Sequence, residues 1–550
     1  MAGGAGGVKP MPQRQMRPDG LVSRPQPGQF GVMAEVADYV IVGGGSAGCV
    51  MASRLSEDPS VRVVLVEAGG RARNPLLHIP AGLAEVLGNG IADWGFSTLP
   101  QSRLNGRRLR WPRGKVLGGS SGINAMCYAR GDLSDYDEWG HGWSGAEALH
   151  LFKASECHSE GVSQWHGDDG PLHVTRPDWM HPATRLYLEA GAQAGYRRME
   201  DAVAPDREGV GLFDTTTHRG LRCSAARAYL PPEVRARPNL TVETGRQVTR
   251  VLFDGTRAAA IEADGEEILG REVVLCAGAI GSPHLMMLSG VGPAAHLRDH
   301  GISVVQDAPD VGSNLQDHLD INCMIRTKAG SAIGYTLGFL AQSLKAPLDW
   351  LRGRTGLLAS NLAEGTGFAR SRDGLSKPDL QFHFLPALGE DHGENRNWGL
   401  TGVSLHACGL YPRSRGTIRL ASADPAAAPA IDPSYLADEA DLEVLVAGAE
   451  MAADILSQPA FDEIRLGWHK PEARPETRDD WVAIIRARAE SIYHPVGTVA
   501  MGDVTDGEGC VLGIEGLRVV DASLMPTIVG GNTNAPVIMM AERIARKMRG

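Results

Sequence analysis

Three glycines at fixed spacing, Gly43-x-Gly45-x-x-Gly48, follow the apolar run DYVIV at residues 38–42. Glu67 closes the next apolar run, VRVVLVE, at residues 61–67. This spacing suits chemistry on a dinucleotide. The first two glycines let the backbone turn and approach a pyrophosphate, and the third lets the following helix pack closely. A helix opening at Ser46 and Ala47 would turn unpaired N–H groups and its positive dipole end toward the phosphates. Glu67 would accept hydrogen bonds from a ribose diol.

Two serines compete for the same region. Gly44-x-Ser46-x-Gly48 and Gly118-x-Ser120-x-Gly122 both fit the nucleophile elbow of serine hydrolases. Ser46 falls inside the dinucleotide fingerprint, however, and Glu67 has no place in an elbow. A serine hydrolase is therefore the remote alternative.

Residues 111–126, WPRGKVLGGSSGINAM, hold Arg113, Gly114, Gly118, Gly119, Ser120 and Asn124 close together. They read either as a loop contacting phosphates and a ring or as an ordinary surface loop. YHPVGT, at residues 493–498, frames His494 with Pro495. An imidazole titrating near 6.5 can accept a proton at neutral pH, and proline holds its loop in one shape. The bland alternative is a half-buried His494 packed between loops. Six of the 17 histidines lie between His141 and His181, seven to nine residues apart. Metal sites favour i, i+4 or H-x₃₋₅-H spacing, so no metal is expected.

The elements that must carry these residues follow from periodicity. Strand, glycine turn, helix (Ala47, Val50, Met51 and Leu55 on one face) and strand make a β–α–β unit. Residues 272–292 and 517–545 repeat the strand-then-glycine pattern. In the latter, Asn534 can cap a helix with Pro536 in its first turn and Val537, Met540, Ala541 and Ile544 on one face. The expected fold is α/β, with α+β character overall. A Rossmann-like domain over 37–159, 226–319 and 490–550 interleaves with a second domain over 160–225 and 320–489. Leu337, Leu340, Ala341, Leu344, Leu348 and Leu351 form an apolar stripe, either packed on a core or facing a membrane or entrance.

Composition narrows the class. The formal charge of −11, with no basic run, argues against a nucleic-acid partner. The eight cysteines form no C-x-x-C pair, which fits a reducing compartment. No apolar run reaches the ~18 residues a membrane span needs. Residues 1–36 are rich in Gly, Pro, Gln and Arg without a signal-peptide apolar core, and read as a disordered tail.

Seven stretches together resemble the glucose–methanol–choline (GMC) flavin oxidoreductases: DYVIVGGGSAGCVMASRLS, WPRGKVLGGSSGINAM, AGAIGSPHLMMLSGVG, VGSNLQDH, SRGTIRLASADP, YHPVGTVAMG and GGNTNAPVIMMAERIA. They occur in the family's order across residues 38–546, and lie nearest its alkanol and choline dehydrogenase branch. The resemblance implies FAD and a substrate domain whose sheet covers the flavin ring. It implies that His494 and Asn534 face the reactive edge. Position 123, where members with covalent FAD carry histidine, is Ile123, so noncovalent FAD is expected. Further cofactor contacts implied are Ala68, Val116, Ala125, Met126, Val248, Ala277, Gly278, Asp521, Ala522, Asn532 and Thr533.

The implied reaction moves a hydride from a primary alcohol to flavin N5 while His494 takes the hydroxyl proton. Electrons then pass to a quinone, another carrier or oxygen. An aliphatic alkanol is expected over choline. A quaternary ammonium favours an aromatic cage and a carboxylate, and aromatics are only 5% of the chain. Glu364 is the acid that SNLAEGTGF offers. The expected location is the cytoplasm, with peripheral attachment to the inner face of the membrane as the alternative.

Overall fold

The first apolar run becomes the strand Ala37–Val42, hydrogen-bonded on both sides in a parallel sheet. Both faces are covered, which is why it and Val63–Glu67 read as continuous apolar runs rather than alternating ones. The parallel order is Leu240–Thr244, Val63–Glu67, Ala37–Val42, Glu266–Leu275, Leu517–Val519. Glu266–Leu275 does two jobs. Its first half pairs antiparallel with Arg257–Ala263, and its second half pairs parallel with Ala37–Val42. The C-terminal ends of the parallel strands converge where an open α/β sheet binds its ligand.

A computed structural model describes residues 36–337, 339, 343–389 and 397–550. The expected tail falls almost wholly outside them, as do Leu340 and Ala341 of the apolar stripe. A second sheet is antiparallel, in the order Arg465–Lys470, Leu319–Thr327, Gly402–Gly409, Leu380–Leu385, Gly365–Ala369, Gly209–Leu212. Glu490–Ser491 also pairs with Leu319–Thr327 and leads the chain back toward His494. Helix Glu439–Ser457 packs against this sheet through Leu442, Leu445, Ala449 and Ala452. Among the described residues, no helix is long and apolar enough to cross a membrane. All eight cysteines carry free thiols.

Two expectations need correction. The last helix spans Asn534–Arg549, so Asn534 is its first residue and Thr533 precedes it without a side-chain cap. It is buried all round from Ala535 to Ala545, not on one face. It packs against both helix Ser46–Leu55 and helix Gly145–Ser155, tied by Arg54–Glu542 (2.7 Å) and Arg543–Glu147 (2.9 Å). The leucine stripe does not pack on a core where it is described: Leu337 is 88% and Leu344 76% exposed, and Leu348 and Leu351 are exposed too.

Of the spaced histidines, His158 and His166 stack, with ring centroids 3.8 Å apart. With Asp214 they form a group whose ligand-type atoms lie within 4.8 Å. Both ring nitrogens of His166 already meet carboxylates, Glu156 at 3.1 Å and Asp201 at 3.1 Å. Arg130 pairs with Glu156 and Arg176 with Asp214. The cluster is thus an ion network that balances its own charge. Burial opposes a charged His166, but hydrogen bonds to Asp201 and Glu156 outweigh it and push the ring up to about 9. A raised folded-state value gives stability that is complete below the unfolded pKa near ~6.5 and lost as pH rises through about 9. Melting temperature should therefore fall between these pH values, and His166→Gln should flatten that part of the profile. An unchanged slope in the variant would contradict the assignment.

Candidate active site

Between the two sheets lies a cavity of about 1620 Å³. That exceeds the roughly 300–1,000 Å³ of ordinary ligand pockets, leaving room for a dinucleotide and a second reactant. Its floor is the glycine turn. Gly43 sits at φ +98°, and a Cβ there would lie 2.6 Å from the Cys276 carbonyl oxygen. A Cβ on Gly48 would lie 1.9 Å from the Gly43 carbonyl, which makes Gly48 a packing residue behind the cavity wall. A Cβ on Gly45 would meet nothing in the chain closer than 3.8 Å, so its bare face belongs to the cavity. Helix Ser46–Leu55 starts without a side-chain cap, leaving its first N–H groups for a ligand. Glu67 accepts from the N–H of Gly44 (2.8 Å) and of Gly69 (2.7 Å). Burial pushes its carboxyl up to about 7 against those two bonds.

The 111–126 loop is not an ordinary surface loop. The Gly118 N–H donates to the Gly44 carbonyl (2.7 Å), and a Cβ on Gly119 would lie 2.7 Å from the Gly45 Cα. The two glycine-rich segments therefore lie backbone against backbone. Arg113 is half-buried, and its guanidinium donates to the Tyr493 carbonyl at 2.6 Å. Ala68, Gly114, Ser120, Asn124, Ala125, Met126 and Val248 line the cavity with it. On the far side stand Ala277, Gly278, Asp521 and Ala522. Asp521 accepts from the Gly278 N–H (2.8 Å) and the Ser282 hydroxyl (2.5 Å). Val116 and Gly118 do not line the cavity. Val116 packs in an apolar cluster with Ile123, Leu77 and Val86. Neither elbow serine meets a histidine: Ser46 donates to Asn534 (2.7 Å), and Ser120 accepts from the Gly114 N–H (3.2 Å).

His494 hangs where the two sheets meet. Its backbone N–H donates to Asp317 (2.7 Å), its Nδ1 lies 2.9 Å from His318 Nδ1, and its Nε2 lies 3.3 Å from Asn532 Nδ2. Asn532 Oδ1 accepts from Gln381 (3.3 Å), which orients the amide with its NH₂ toward the histidine. The sequence reading pairs His494 with Asn534. The structure brings Asn532 there instead and turns the Asn534 side chain to Ser46. Asn532, Thr533 and Asn534 all line the cavity. Burial, then His318, His383 and Arg113, hold the His494 ring well below 6.5, so it is an unprotonated base at neutral pH.

Sequence reasoning missed the polar row on the second sheet. Asp320, His383 and His406 line the cavity, with His406 Nδ1 2.7 Å from Asp320. Period-two alternation in QFHFL and the DHLD run were the available signals. Glu364 does not line the cavity; its carboxylate accepts from the His181 N–H (2.8 Å), Thr184 (2.5 Å) and Ser360 (2.7 Å).

Comparison with known proteins agrees with this architecture. The GMC oxidoreductase family matches residues 37–320 and 412–541. An alcohol dehydrogenase [acceptor] of Pseudomonas putida is 44% identical over 524 residues, covering 92% of this chain and 95% of its own. The human mitochondrial choline dehydrogenase is 42% identical over 537 residues, covering 93% and 89%. Among solved structures, pyridoxine 4-oxidase from Mesorbium loti superposes with a TM-score of 0.85 at 32% identity, covering 93% of this chain and 99% of its own.

Proposed function

The chain belongs to the GMC oxidoreductase family, and from that premise we propose that it oxidises an aliphatic primary alcohol to the aldehyde with FAD. The carrying observation is His494 Nε2 beside the Asn532 amide in the cavity that the dinucleotide cradle opens into. The cradle fits FAD: the open face of Gly45, the uncapped helix start and the carboxylate of Glu67 suit pyrophosphate and ribose. FAD held there would supply the acceptor, its N5, for the hydride of the carbinol carbon. His494 Nε2 takes the hydroxyl proton, and the Asn532 amide donates to the alkoxide oxygen as charge develops. The helix start at Asn532–Asn534 adds a positive potential at the same place.

The interleaved division, 37–159, 226–319 and 490–550 against 160–225 and 320–489, is supported by the way the strands of the two sheets fall. Noncovalent attachment is supported by Ile123, an apolar side chain buried in an apolar cluster. The purified protein should be yellow, and acid or heat should release FAD into the supernatant. Flavin that stays with the denatured chain would contradict noncovalent attachment.

His494→Ala should slow anaerobic flavin reduction by roughly 10²–10⁴, the range of a lost general base, with FAD content nearly unchanged. The low pKa of His494 fixes the sign of the pH dependence. Reduction should stay flat as pH falls through 6.5 and decline only at more acidic pH. A rate that halves near 6.5 would indicate an imidazole in ordinary surroundings.

An alkanol is favoured over choline because the acid that lines the cavity from the second sheet, Asp320, is already held by His406, and Glu364 is tied up elsewhere. Ala363, Leu385 and Leu388 add apolar wall. At the same cavity, Leu337 and the 72% exposed Trp398 leave apolar surface in solvent. That patch supports peripheral contact between a cytoplasmic protein and a membrane, a shared source of long alcohols and of a quinone-type acceptor. Each added methylene should contribute up to about 0.8 kcal/mol, or about fourfold in kcat/KM, until the pocket fills. A series of linear alcohols with choline alongside and an artificial acceptor tests this. Efficient choline turnover with flat rates across the alkanols would move the assignment to choline.

A further inference from the structure

Asp317 and His318 are adjacent, and both hold His494, one by its backbone and one by its ring. His318 Nε2 lies 2.9 Å from the Leu410 carbonyl oxygen. A carbonyl only accepts, so His318 Nε2 carries a proton. A neutral imidazole has one N–H, which leaves His318 Nδ1 with a lone pair. His494 Nδ1, 2.9 Å away, must then be the donor. Its own single N–H is thereby used, and Nε2 is left bare. The contact on that side is the NH₂ of Asn532, which only donates. Every link in the chain therefore has one donor and one acceptor.

We propose that His318 is a positioning residue that sets the tautomer of His494, making Nε2 the basic nitrogen. This rests on the reading of His494 as the base. The opposite arrangement needs a charged His318, with both nitrogens donating, which would put the His494 proton on Nε2. The surroundings oppose that charge. His318 is fully buried, and burial pushes its ring down to about 4. Arg113 and the His383 ring also bear on His494. Two carboxylates stand near, but both are engaged. Asp317 accepts from Ser491 (2.5 Å), Tyr435 and the His494 N–H, and Asp320 is paired with His406. When His494 Nε2 takes the substrate proton, the ring becomes a cation whose Nδ1–H already points at His318 Nδ1, so the lone pair there steadies the charge. The rings cross at 79°, a geometry that directs each nitrogen at its partner.

The test compares His318→Leu, His318→Asn and His494→Ala by anaerobic flavin reduction over pH, with FAD content and melting temperature measured on each. His318→Leu should lose roughly 10²-fold, the lower end of what a lost general base costs, with normal flavin content. His318→Asn keeps an acceptor near the Nδ1 position and should recover most of that rate. A purely structural role would lower flavin content or melting temperature without rescue by asparagine. Should His318→Leu fail to fold, ring-¹⁵N-labelled histidine in the parent protein decides the matter. His494 should appear as the Nδ1–H tautomer at neutral pH. Reduction by folded His318→Leu at the parent rate and pH profile, or an Nε2–H His494 in the spectrum, would overturn the proposal. If His494→Ala itself reduced at the parent rate, the base reading would fall as well, whereas a slow His494→Ala beside a fast His318→Leu would overturn the tautomer proposal alone.

Discussion

A buried imidazole that must stay uncharged and aimed is the constraint on which this active site depends. His494 meets it with three hydrogen bonds from two parts of the chain: Asp317 to its backbone and His318 to Nδ1 from one, and Asn532 to Nε2 from the other. Asp317 and His318 precede the strand Leu319–Thr327, and Asn532 precedes the last helix. The imidazole therefore sits where the antiparallel sheet and the parallel-sheet half come together. Isolated, each bond is worth only about 1 kcal/mol net. Their joint effect is orientation, because a ring bonded on both nitrogens cannot flip without leaving a buried polar atom unpaired.

The second constraint is steric. Ser46–Leu55 can approach Ala37–Val42 because Gly48 has no side chain, and the 111–126 loop can lie on that turn because Gly119 has none. These contacts bring Arg113 beside Tyr493 and the helix start beside the same cavity. Segments up to hundreds of residues apart thus meet through backbone at these glycines, as Gly43 meets the Cys276 carbonyl.

Legibility in the sequence follows from this physics. The glycine fingerprint, Glu67 and the His-Pro pair were readable because they depend on local backbone geometry and short spacings. The parallel strands were readable because burial on both faces leaves unbroken apolar runs. Asn532 was not separable from Asn534, since the two differ by the turn of a helix start that only its packing defines. The leucine stripe was equally ambiguous, because periodicity gives a face and never says what covers it. The histidines at seven-to-nine spacing looked idle, yet His158 and His166 meet because Glu156–His158 and a later loop fold onto each other. His318 left only the DH doublet as a trace, and its role required knowing that Leu410 offers a carbonyl on the far side.

The polar row on the second sheet carries the argument on substrate further. A carboxylate such as Asp320, buried beside a reaction centre, costs several kcal/mol unless paired. Here His406 is its partner at 2.7 Å. A cationic substrate would compete with His406 for that carboxylate, and the ring would lose its partner while still buried. A neutral alcohol leaves the pair intact and asks only for apolar wall, which Leu385 and Ala363 provide. The same pairing serves the neighbouring His383 ring. An unshared negative charge at Asp320 would favour a cationic His383, whereas a shared one leaves that ring neutral under burial. A substrate that leaves the Asp320–His406 contact undisturbed is therefore the one this sheet suits.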